Sequence, residues 1–465
     1  MPDSNFDPII EALSANVIKT QFSDLDAPAV ELAKNRIIDV LGCVIGGSNA
    51  PGNKAMLDMA QRWGGQNEST IMIFGPKVPS PQAAMLNSIM ARSYDFEVMA
   101  YVLEGKFFPS HHAATTVPTA LALAEACGAS GKELLTAMMV GDDLAARVQA
   151  ASAGHPIDLG WDGCAVLSHL AAAATSSRLL GLNTKQTKNT FGIVVNLIGG
   201  TTQTYWDGAL AFKLGQGTAA AHGIFSAELA KGGWTGIEDP LFSQRGYFAV
   251  YGGGCINDKD ILTRRLGEIY YGEGYFKRYP CGMPTHAGIT AALALVNQND
   301  ILAEDIQEVV IHVPYGHMKS FYYAQPFEIR DFPQVDAAFS YIYTIASSLV
   351  NKSFGLENFT EESIRDPRVK SIIDKTKMVE RPEGAELGMQ VDLRLTNDNQ
   401  FSQYIAEDIE WATKPTPREQ IITKFRKQVA FSKTIDPEKA ENILELVQDL
   451  EKMKNIDQLL KLLVA

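Results

Sequence analysis

The chain of 465 residues is 46% hydrophobic and 20% charged, a balance that is typical of globular proteins and unlike that of a disordered chain. At about 150 residues per domain, this length predicts two or three folding units. Acidic residues outnumber basic residues by 54 to 41, so the surface should repel nucleic acid and anionic membranes. We therefore expect neither of these as a partner.

Cysteine usage and the apolar runs bear on the location of the protein. The five cysteines are scattered, and no Cys-x-x-Cys pair occurs, which is typical of a reducing compartment. The amino terminus, MPDSNFDPII, has no basic start followed by a long apolar run, and the other apolar stretches are too short to cross a membrane. These observations predict a cytoplasmic protein.

The first half of the chain has helical periodicity. From Pro28 to about Lys231 the apolar residues recur at helical spacing, as in the stripe of Val30, Ile37 and Leu41. Further helices are predicted in PQAAMLNSIMARS, PTALALAEAC, GKELLTAMMVGDDLAARVQ, LSHLAAAATSSRLLG and GTAAAHGIFSAELAKGG. Their small residues let helices approach closely. This half is predicted to be all-α.

The pattern changes after the glycine run at residues 252–254. Alternation in EVVIHVPY and LGMQVDLRLTN predicts half-exposed strands, with helices between them in THAGITAALALVNQ and AAFSYIYTIASSLV. Helical spacing returns in REQIITKFRKQVAFS, KAENILELVQDL and NIDQLLKLLV. The sequence thus predicts a mainly α protein, with residues 1–265 and 405–465 in a large helical domain and residues 266–404 in a smaller α+β domain.

A first candidate for chemistry combines Asp95, at the end of a predicted helix, with His111 and His112 in PSHHAATTVP. Thr116 is predicted to be a helix N-cap with Pro118 in the first turn, so both histidines precede a helix N-terminus that attracts anions. A substrate carboxylate would suit this position. The alternative, which spacing alone favours, is that Asp95 merely ends a helix and the histidines are solvated.

A second candidate is the cationic segment YFKRYPCGMPTH, at the junction of the two predicted domains. Lys277 and Arg278 could hold carboxylates, and Thr285 and His286 begin the next helix at another anion-attracting N-terminus. The alternative is a pair of solvated surface cations. One cysteine with one histidine is too few ligands for a zinc site.

A third candidate is Lys213, which precedes an Ala-rich helix in AFKLGQG. Apolar surroundings could lower the pKa of its amine, although such a lysine more often reaches solvent. No segment has the spacing of a phosphate-binding loop, a dinucleotide fingerprint, HExxH or Gly-x-Ser-x-Gly. The sequence therefore predicts neither a cofactor nor a metal site.

Several segments resemble the MmgE/PrpD family in their order and spacing, namely RIIDVLGCVIGG, SYDF, PSHH before VPTALALAEA, RLLGLN and KRYPCGMPTHAGITAALAL. The resemblance covers nearly the whole chain. It implies a large helical domain formed from both chain ends, a smaller α+β lid and a cleft between them, as in 2-methylcitrate dehydratase, cis-aconitate decarboxylase and iminodisuccinate epimerase. It also implies a homodimer.

The resemblance assigns individual residues to this cleft. Asp95 matches the first acid of the family segment D-F-D-D-T, and His111 matches the histidine that follows it. Lys277 and His286 match the cations at the domain junction. Lys213 lies one residue from the position of the family lysine.

The departures from the family pattern bear on the reaction. The family's other two acids and its threonine read here as Glu97, Val98 and Met99. The family segment G-F-H-P reads GWDG at residues 160–163, so Asp162 replaces an imidazole. This change favours an isomerase or a reshaped lyase over a dehydratase or decarboxylase that needs that histidine. Tyr323 lies near a tyrosine that the decarboxylases use.

These residues predict a cofactor-independent lyase, of dehydratase or decarboxylase type, that acts on a small di- or tricarboxylate. The predicted catalytic residues are Asp95, His111, Lys213 and His286, and the predicted substrate-binding residues are His112, Asp162, Lys277, Arg278 and Tyr323. Fixed cations would stabilise the charge that develops beside the carboxylate, and a histidine, with an ordinary pKa of about 6.5, would move the proton.

Three alternatives stay open at this level. An epimerase or isomerase would need a proton-transfer group on each face of a carbon but no leaving group. A metal hydrolase could use His111, His112 and Asp95 as ligands. A ligand-binding protein without activity could retain the fold with a changed pocket.

Overall fold

The structure, a computed structural model, describes residues 8–406, 414 and 416–465. Its helices of eight or more residues are α1 Pro8–Lys19, α2 Ala27–Gly47, α3 Asn53–Trp63, α4 Ser80–Arg92, α5 Ala113–Cys127, α6 Gly131–Ala151, α7 Gly163–Leu179, α8 Thr184–Val194, α9 Leu214–Lys231, α10 His286–Gln298, α11 Tyr341–Asn351, α12 Pro367–Asp374, α13 Arg418–Ser432 and α14 Pro437–Gln448.

Shorter helical segments connect these helices. The α-helical ones are Gln203–Trp206, Tyr247–Val250, His317–Ser320, Pro333–Ala338, Glu361–Ile364 and Asp457–Leu462. The 3₁₀ turns are Phe22–Asp24, Pro156–Leu159, Val195–Leu197, Leu210–Lys213, Asp260–Leu262, Met283–Thr285, Ala303–Asp305, Tyr322–Ala324, Leu356–Phe359 and Leu450–Lys452. Among the described residues, no helix combines the length and the apolar character that crossing a bilayer requires.

Helix α2 lies at the centre of the helical part. It begins after Asp26, whose side chain accepts a hydrogen bond from the backbone N–H of Ala29, and its predicted apolar stripe is buried. Helix α13, from the other end of the chain, packs along α2. Lys424 Nζ lies 2.7 Å from Asp39 Oδ1 in a buried ion pair. The C-terminal helices therefore pack on the N-terminal helices, as the return of helical spacing predicts.

The smaller part contains a four-stranded sheet, whose strands are β5 Ile306–Val313, β6 Thr376–Glu380, β7 Gly388–Leu395 and β8 Gln400–Ala406. Their order in the sheet is β6-β5-β7-β8. Strand β5 is parallel to β6 and antiparallel to β7, with Val309 opposite Leu393. Helix α10 packs on β7 and β8. The strands predicted in EVVIHVPY and LGMQVDLRLTN are β5 and β7.

The helical part also contains two hairpins that the periodicity did not reveal, because their strands are too short to show alternation. They pair β1 Ser69–Thr70 with β2 Lys77–Val78, and β3 Tyr101–Leu103 with β4 Lys106–Phe108. The second hairpin turns at Glu104 and Gly105, which both have positive φ, +50° and +77°, as a two-residue hairpin turn requires. Strand β4 leads directly into the loop of His111.

Two large hydrophobic cores meet at Tyr94, just after helix α4. The first joins α2, α4 and α5 to the C-terminal helices, and the second surrounds the sheet and also includes Tyr205 and Phe212. Tyr94 packs against both cores. The predicted fold class, mainly α with a smaller α+β part, is confirmed. We propose the domain bounds stated above on the basis of these contacts, although residues 1–7, 407–413 and 415 lie outside the described residues.

Candidate active site

A cavity of about 480 Å³ lies where the helical part meets the α+β part. The helical part lines it with the end of α4, the loop before α5 and the start of α7. The α+β part lines it with residues 283–284, 321–323 and 339. The polar side chains in its wall that join in one network are Arg92, Asp95, His111, Asp162 and Tyr205.

Arg92 is the centre of this network. It is the last residue of α4 and is buried. Its Nη1 donates to Glu97 Oε1 over 2.8 Å and also contacts Asp95 Oδ1. Asp95 has a φ of +49°, a left-handed conformation that Asp tolerates better than most residues. This turn after α4 brings two carboxylates back onto the guanidinium.

The imidazole of His111 completes this side of the cavity. Its Nδ1 lies 2.9 Å from Glu97 Oε1, and because a carboxylate only accepts, Nδ1 carries the proton. The other nitrogen, Nε2, lies 4.0 Å from Asp95 Oδ1. Burial, together with Arg92 and Lys277, lowers the pKa of His111 to about 3. The ring is therefore neutral at pH 7, with its Nε2 lone pair available.

Lys277 contacts the cluster of Arg92, Asp95, Glu97 and His111 without lining the cavity itself. It is fully buried, and its Nζ donates to the Asp95 carbonyl over 2.8 Å and forms an ion pair with Asp95 Oδ1 at the same distance. Burial lowers the pKa of its amine to about 7, against the opposing influence of Glu97. Its amine is separated from the cavity by Asp95 and His111, so Lys277 can act on a bound molecule only electrostatically.

Asp162 is connected to Arg92 through the hydroxyl of Tyr205. It is the N-cap of α7, and its Oδ1 accepts hydrogen bonds from the Cys164 backbone over 3.2 Å and from the Tyr205 hydroxyl over 3.3 Å. Arg92 Nη2 donates to the same hydroxyl over 3.4 Å. Burial raises the pKa of Asp162, with Arg92 opposing. The cavity thus contains a neutral imidazole and a carboxyl group whose pKa is raised above its ordinary value.

The N-terminus of α5, where a substrate carboxylate was predicted, is occupied by Glu273 of the chain itself. The Glu273 carboxylate accepts hydrogen bonds from the backbone N–H groups of His112 and Ala113, both over 2.8 Å. The helix therefore starts at Ala113, and the prediction of Thr116 as N-cap is wrong. His112 is fully buried beside Glu273 and does not line the cavity.

Pro118 lies inside α5 rather than in its first turn. A proline in a helix has no N–H for the carbonyl four residues earlier. That carbonyl, of Ala114, instead accepts a hydrogen bond from the Ser88 hydroxyl over 2.6 Å. The helix can therefore extend upstream to the histidines without leaving this carbonyl unsatisfied.

His286 and Arg278 line a neighbouring cavity of about 220 Å³. Helix α10 begins at His286, as predicted. The two cavities share Met283 and Pro284 in their walls. Asp95, His111 and Lys277 are thus brought together, whereas His286 and Arg278 lie beyond the wall that Met283 and Pro284 form.

Lys213 also lies outside the larger cavity. Its amine donates to the Pro51 carbonyl over 2.6 Å and to Asn53 Oδ1 over 2.7 Å, and burial lowers its pKa to about 7. Tyr323, by contrast, lines the cavity. Gly282 lies directly against its ring, so that a Cβ at that position would overlap the hydroxyl.

Asp95, Glu97 and His111 are close enough to be considered as metal ligands, with one donor atom each within 4.8 Å of the others. However, Arg92 already donates to both carboxylates, and Lys277 forms an ion pair with Asp95. A divalent cation would therefore have to compete with these two side chains for the carboxylate oxygens.

Comparison with known proteins matches both parts of the chain. The MmgE/PrpD N-terminal domain matches residues 11–258, and the MmgE/PrpD C-terminal domain matches residues 279–452. The chain belongs to the MmgE/PrpD family. Among MmgE/PrpD relatives, the cis-aconitate decarboxylase-like protein oryM from Aspergillus oryzae is 25% identical over 95% of this chain and 94% of its own.

Two mammalian relatives lie at a similar distance. The cis-aconitate decarboxylases of Mus musculus and Homo sapiens are each 24% identical, over 98% of this chain and 93% and 94% of their own. The MmgE/PrpD family and these relatives support a lyase of the dehydratase or decarboxylase kind.

The structure adds residues to this MmgE/PrpD site that sequence reasoning missed. They are Arg92, Tyr205, Cys164 and His155, all of which line the cavity. The sequence does indicate Arg92 as a site residue, because it ends an apolar helix three positions before Asp95. His155 places an imidazole close to Asp162, because its ring packs against the Gly163 backbone. Its Nδ1 accepts the N–H of Ile157 over 3.2 Å.

Proposed function

We propose that this protein is a cofactor-independent lyase that moves a proton beside a carboxylate of a small organic acid. The observation that carries the proposal is the Glu97–His111 pair, a neutral imidazole oriented by a carboxylate, facing a cavity that also contains Arg92. An imidazole that is held by a carboxylate and has its other nitrogen towards a cavity has the geometry of a general base. The family match and the cis-aconitate decarboxylase relatives support the same reaction class.

In the proposed reaction, His111 Nε2 removes a proton from the carbon beside the carboxylate. The C–H electron pair moves into the carboxylate, and the resulting enediolate is stabilised by Arg92 and, through the cluster, by Lys277. In a dehydration, the pair then returns to form a C=C bond while the neighbouring C–O bond breaks. The departing hydroxyl takes a proton from Asp162 and leaves as water.

Asp162 is placed for this second role because it lines the same cavity as His111, and burial raises the pKa of its carboxyl group. Two groups in one cavity whose pKa values are shifted in opposite directions are the usual arrangement for an acid and a base. We propose binding roles for Arg92 and Tyr323, and we give Lys277 a supporting electrostatic role. Lys213 and His286 lie outside the cavity, so their geometry offers no support for direct proton transfer.

The test is a panel of di- and tricarboxylic acids, each incubated with the protein in deuterated water and followed by ¹H NMR. Turnover would show as loss of water or carbon dioxide, and proton abstraction as exchange of a C–H for deuterium. We expect His111→Ala to reduce both rates at least 100-fold. His312→Ala is the matched control, because His312 pairs with Asp392 on the sheet. Unchanged exchange in His111→Ala would refute the proposal.

A specific observation also favours an epimerase as the second candidate. His111 is connected to Arg92 Nη1 through Glu97, whereas Asp162 is connected to Arg92 Nη2 through Tyr205. Such an arrangement could remove a proton from one face of a carbon and return one to the other. The same NMR experiment distinguishes the two, because an epimerase would exchange the proton and invert the centre without releasing water or carbon dioxide.

We also propose that the working form is a homodimer, as the family resemblance implies. Helix α9 supports this, because Leu214 and Phe225 are 40% and 46% exposed and lie eleven positions apart, three helical turns along one face. Exposed apolar side chains aligned on one helix face are suited to packing against a second subunit.

A further inference from the structure

The cavity wall beyond the Arg92 network is largely apolar. It contains the side chains of Met99, Phe108, Ile157, Met283, Phe321 and Phe339. Phe339 and Phe321 belong to a packed aromatic group with Tyr322 and Tyr323. A small acid that consists only of carboxylates and a short carbon chain would leave this wall without a partner.

The charges in the wall also limit how many carboxylates a ligand can place there. Among the described residues that line the cavity, Arg92 is the one lysine or arginine, and it already contacts Asp95 and Glu97. Asp162 adds a further acid to the same wall. A trianion would therefore meet little uncompensated positive charge.

The size of the cavity points in the same direction. Its volume of about 480 Å³ lies within the range of roughly 300 to 1,000 Å³ that is usual for larger, drug-sized ligands. Ile157, at 38% exposure, is an apolar residue of the 3₁₀ turn Pro156–Leu159 that nevertheless lines this cavity. The apolar wall thus extends from the aromatic group to a partly exposed rim.

We infer that the substrate is a carboxylic acid with an apolar substituent of several carbons, whose carboxylate faces Arg92 while the substituent lies against Met99, Phe321 and Ile157. The placement of the carboxylate rests on the proposed function. The apolar substituent is an addition to that function, and it narrows the expected substrate from a bare polyacid to an alkyl- or aryl-substituted one.

The experiment measures binding of a matched series by titration calorimetry: succinate and its 2-methyl, 2-butyl and 2-hexyl derivatives, with cis-aconitate as a bare tricarboxylate. We expect the dissociation constant to fall about fourfold for each buried methylene group. The hexyl derivative should bind more tightly than cis-aconitate. Equal affinities along the series, or tightest binding of an unsubstituted acid, would overturn the inference.

Two rim variants locate the substituent. Ile157→Asn should reduce the affinity ratio of the hexyl to the unsubstituted acid about fivefold or more, because a polar group replaces apolar contact area. Leu159→Asn is the matched control, since Leu159 is 53% exposed in the same 3₁₀ turn but does not line the cavity. Both positions are partly exposed, so both variants should fold, which thermal melting would verify. Equal effects of the two variants would overturn the inference.

Failure of this inference and failure of the proposed function give different results. The alkyl succinates could bind with the expected trend while no acid, of this series or of the di- and tricarboxylate panel, undergoes proton exchange. The inference would then stand and the lyase proposal would fail. If bare acids are turned over and chain length has no effect on affinity, the lyase proposal stands and the inference fails.

Discussion

Glu97 and His111 form a hydrogen bond of 2.9 Å between Oε1 and Nδ1. Burial alone would raise the pKa of Glu97, but Arg92 and His111 outweigh it and hold that pKa well below its usual range. The carboxylate is therefore ionised, fixes the tautomer of the imidazole, and leaves Nε2 free to accept a proton.

Glu97→Gln tests this orientation. A glutamine amide can present either an oxygen or an NH₂ group to Nδ1, and it does not stabilise the imidazolium that forms in the reaction. We expect the turnover rate to fall roughly 100-fold or more, while the binding of a substrate analogue changes far less. Steady-state kinetics on whichever acid is turned over would measure this. A rate within threefold of the wild-type rate would show that His111 needs no partner.

Asp162→Asn separates the two halves of the proposed reaction. Asparagine retains the helix cap but cannot donate a proton to a leaving group, so elimination should slow about 100-fold or more. Proton exchange by His111 should continue at a comparable rate, which NMR in deuterated water would detect. Asp158→Asn, an exposed position in the preceding 3₁₀ turn, is the control. Loss of exchange together with elimination would mean that Asp162 does not act separately from His111.

The pH dependence of activity should depend on Lys277. Burial lowers the pKa of this amine to about 7, so the amine loses its positive charge as the pH rises above 7. Because that charge stabilises the enediolate in the proposed reaction, kcat/KM should fall as the pH rises from 7 to 9. Lys277→Arg should flatten this alkaline limb, since a guanidinium stays charged throughout.

Lys213 provides the comparison for that experiment, because burial lowers its pKa to the same value of about 7. If the alkaline limb disappears in Lys213→Gln and persists in Lys277→Arg, then Lys213 is the group that carries the charge. Both variants need a check of folding by circular dichroism, because both side chains are buried.

Glu273 should make the stability of the protein depend on pH. Burial raises its pKa from 4.5 to about 7, although Ser110 and two backbone N–H groups oppose the shift. Between these values the folded protein holds a proton that the unfolded chain has released, so stability falls as the pH rises through this window. Glu273→Gln, which does not titrate, should gain roughly 2 to 3 kcal/mol relative to the wild type between pH 5 and pH 8.

Urea denaturation at several pH values would measure this difference. A constant difference between the two proteins from pH 5 to pH 8 would show that Glu273 stays ionised in the folded state, stabilised by its three hydrogen bonds.

Phe225→Glu tests the proposed homodimer. A charge in the middle of a subunit interface would be buried without a partner, so the variant should be monomeric at micromolar concentrations where the wild type is dimeric. Light scattering would measure both masses. Lys231→Glu, at the end of the same helix, controls for a change of charge. A wild-type monomer would refute the proposal directly.

Local patterns were enough to predict most helices and the first members of the site. Asp95, His111 and Lys277 could be selected because each lies at a helix end or a loop with a recognisable motif. The role of Glu273 could not be predicted, because its partners His112 and Ala113 lie about 160 positions away. That contact moves the start of α5 upstream, which the local signals of Thr116 and Pro118 do not reveal.

Tertiary packing also decided which cations face the cavity. Lys213 and His286 have the same kind of local sequence signal as Lys277, yet backbone and side-chain oxygens engage Lys213, and Met283 and Pro284 separate His286 from the larger cavity. Tyr205 had no signal of its own, since a tyrosine in a short helix is usually a packing residue.

The ion pair between Asp39 and Lys424 has a consequence for biosynthesis. Asp39 lies in the helix at the centre of the N-terminal core, and its cation comes from one of the last helices. During translation, the nascent helical core would bury an unpaired acid until the ribosome had released that C-terminal segment, and an unpaired buried charge is strongly destabilising. Final consolidation of the helical domain should therefore wait until this segment has left the ribosome, and chains truncated before Arg418 should depend on chaperones or be degraded.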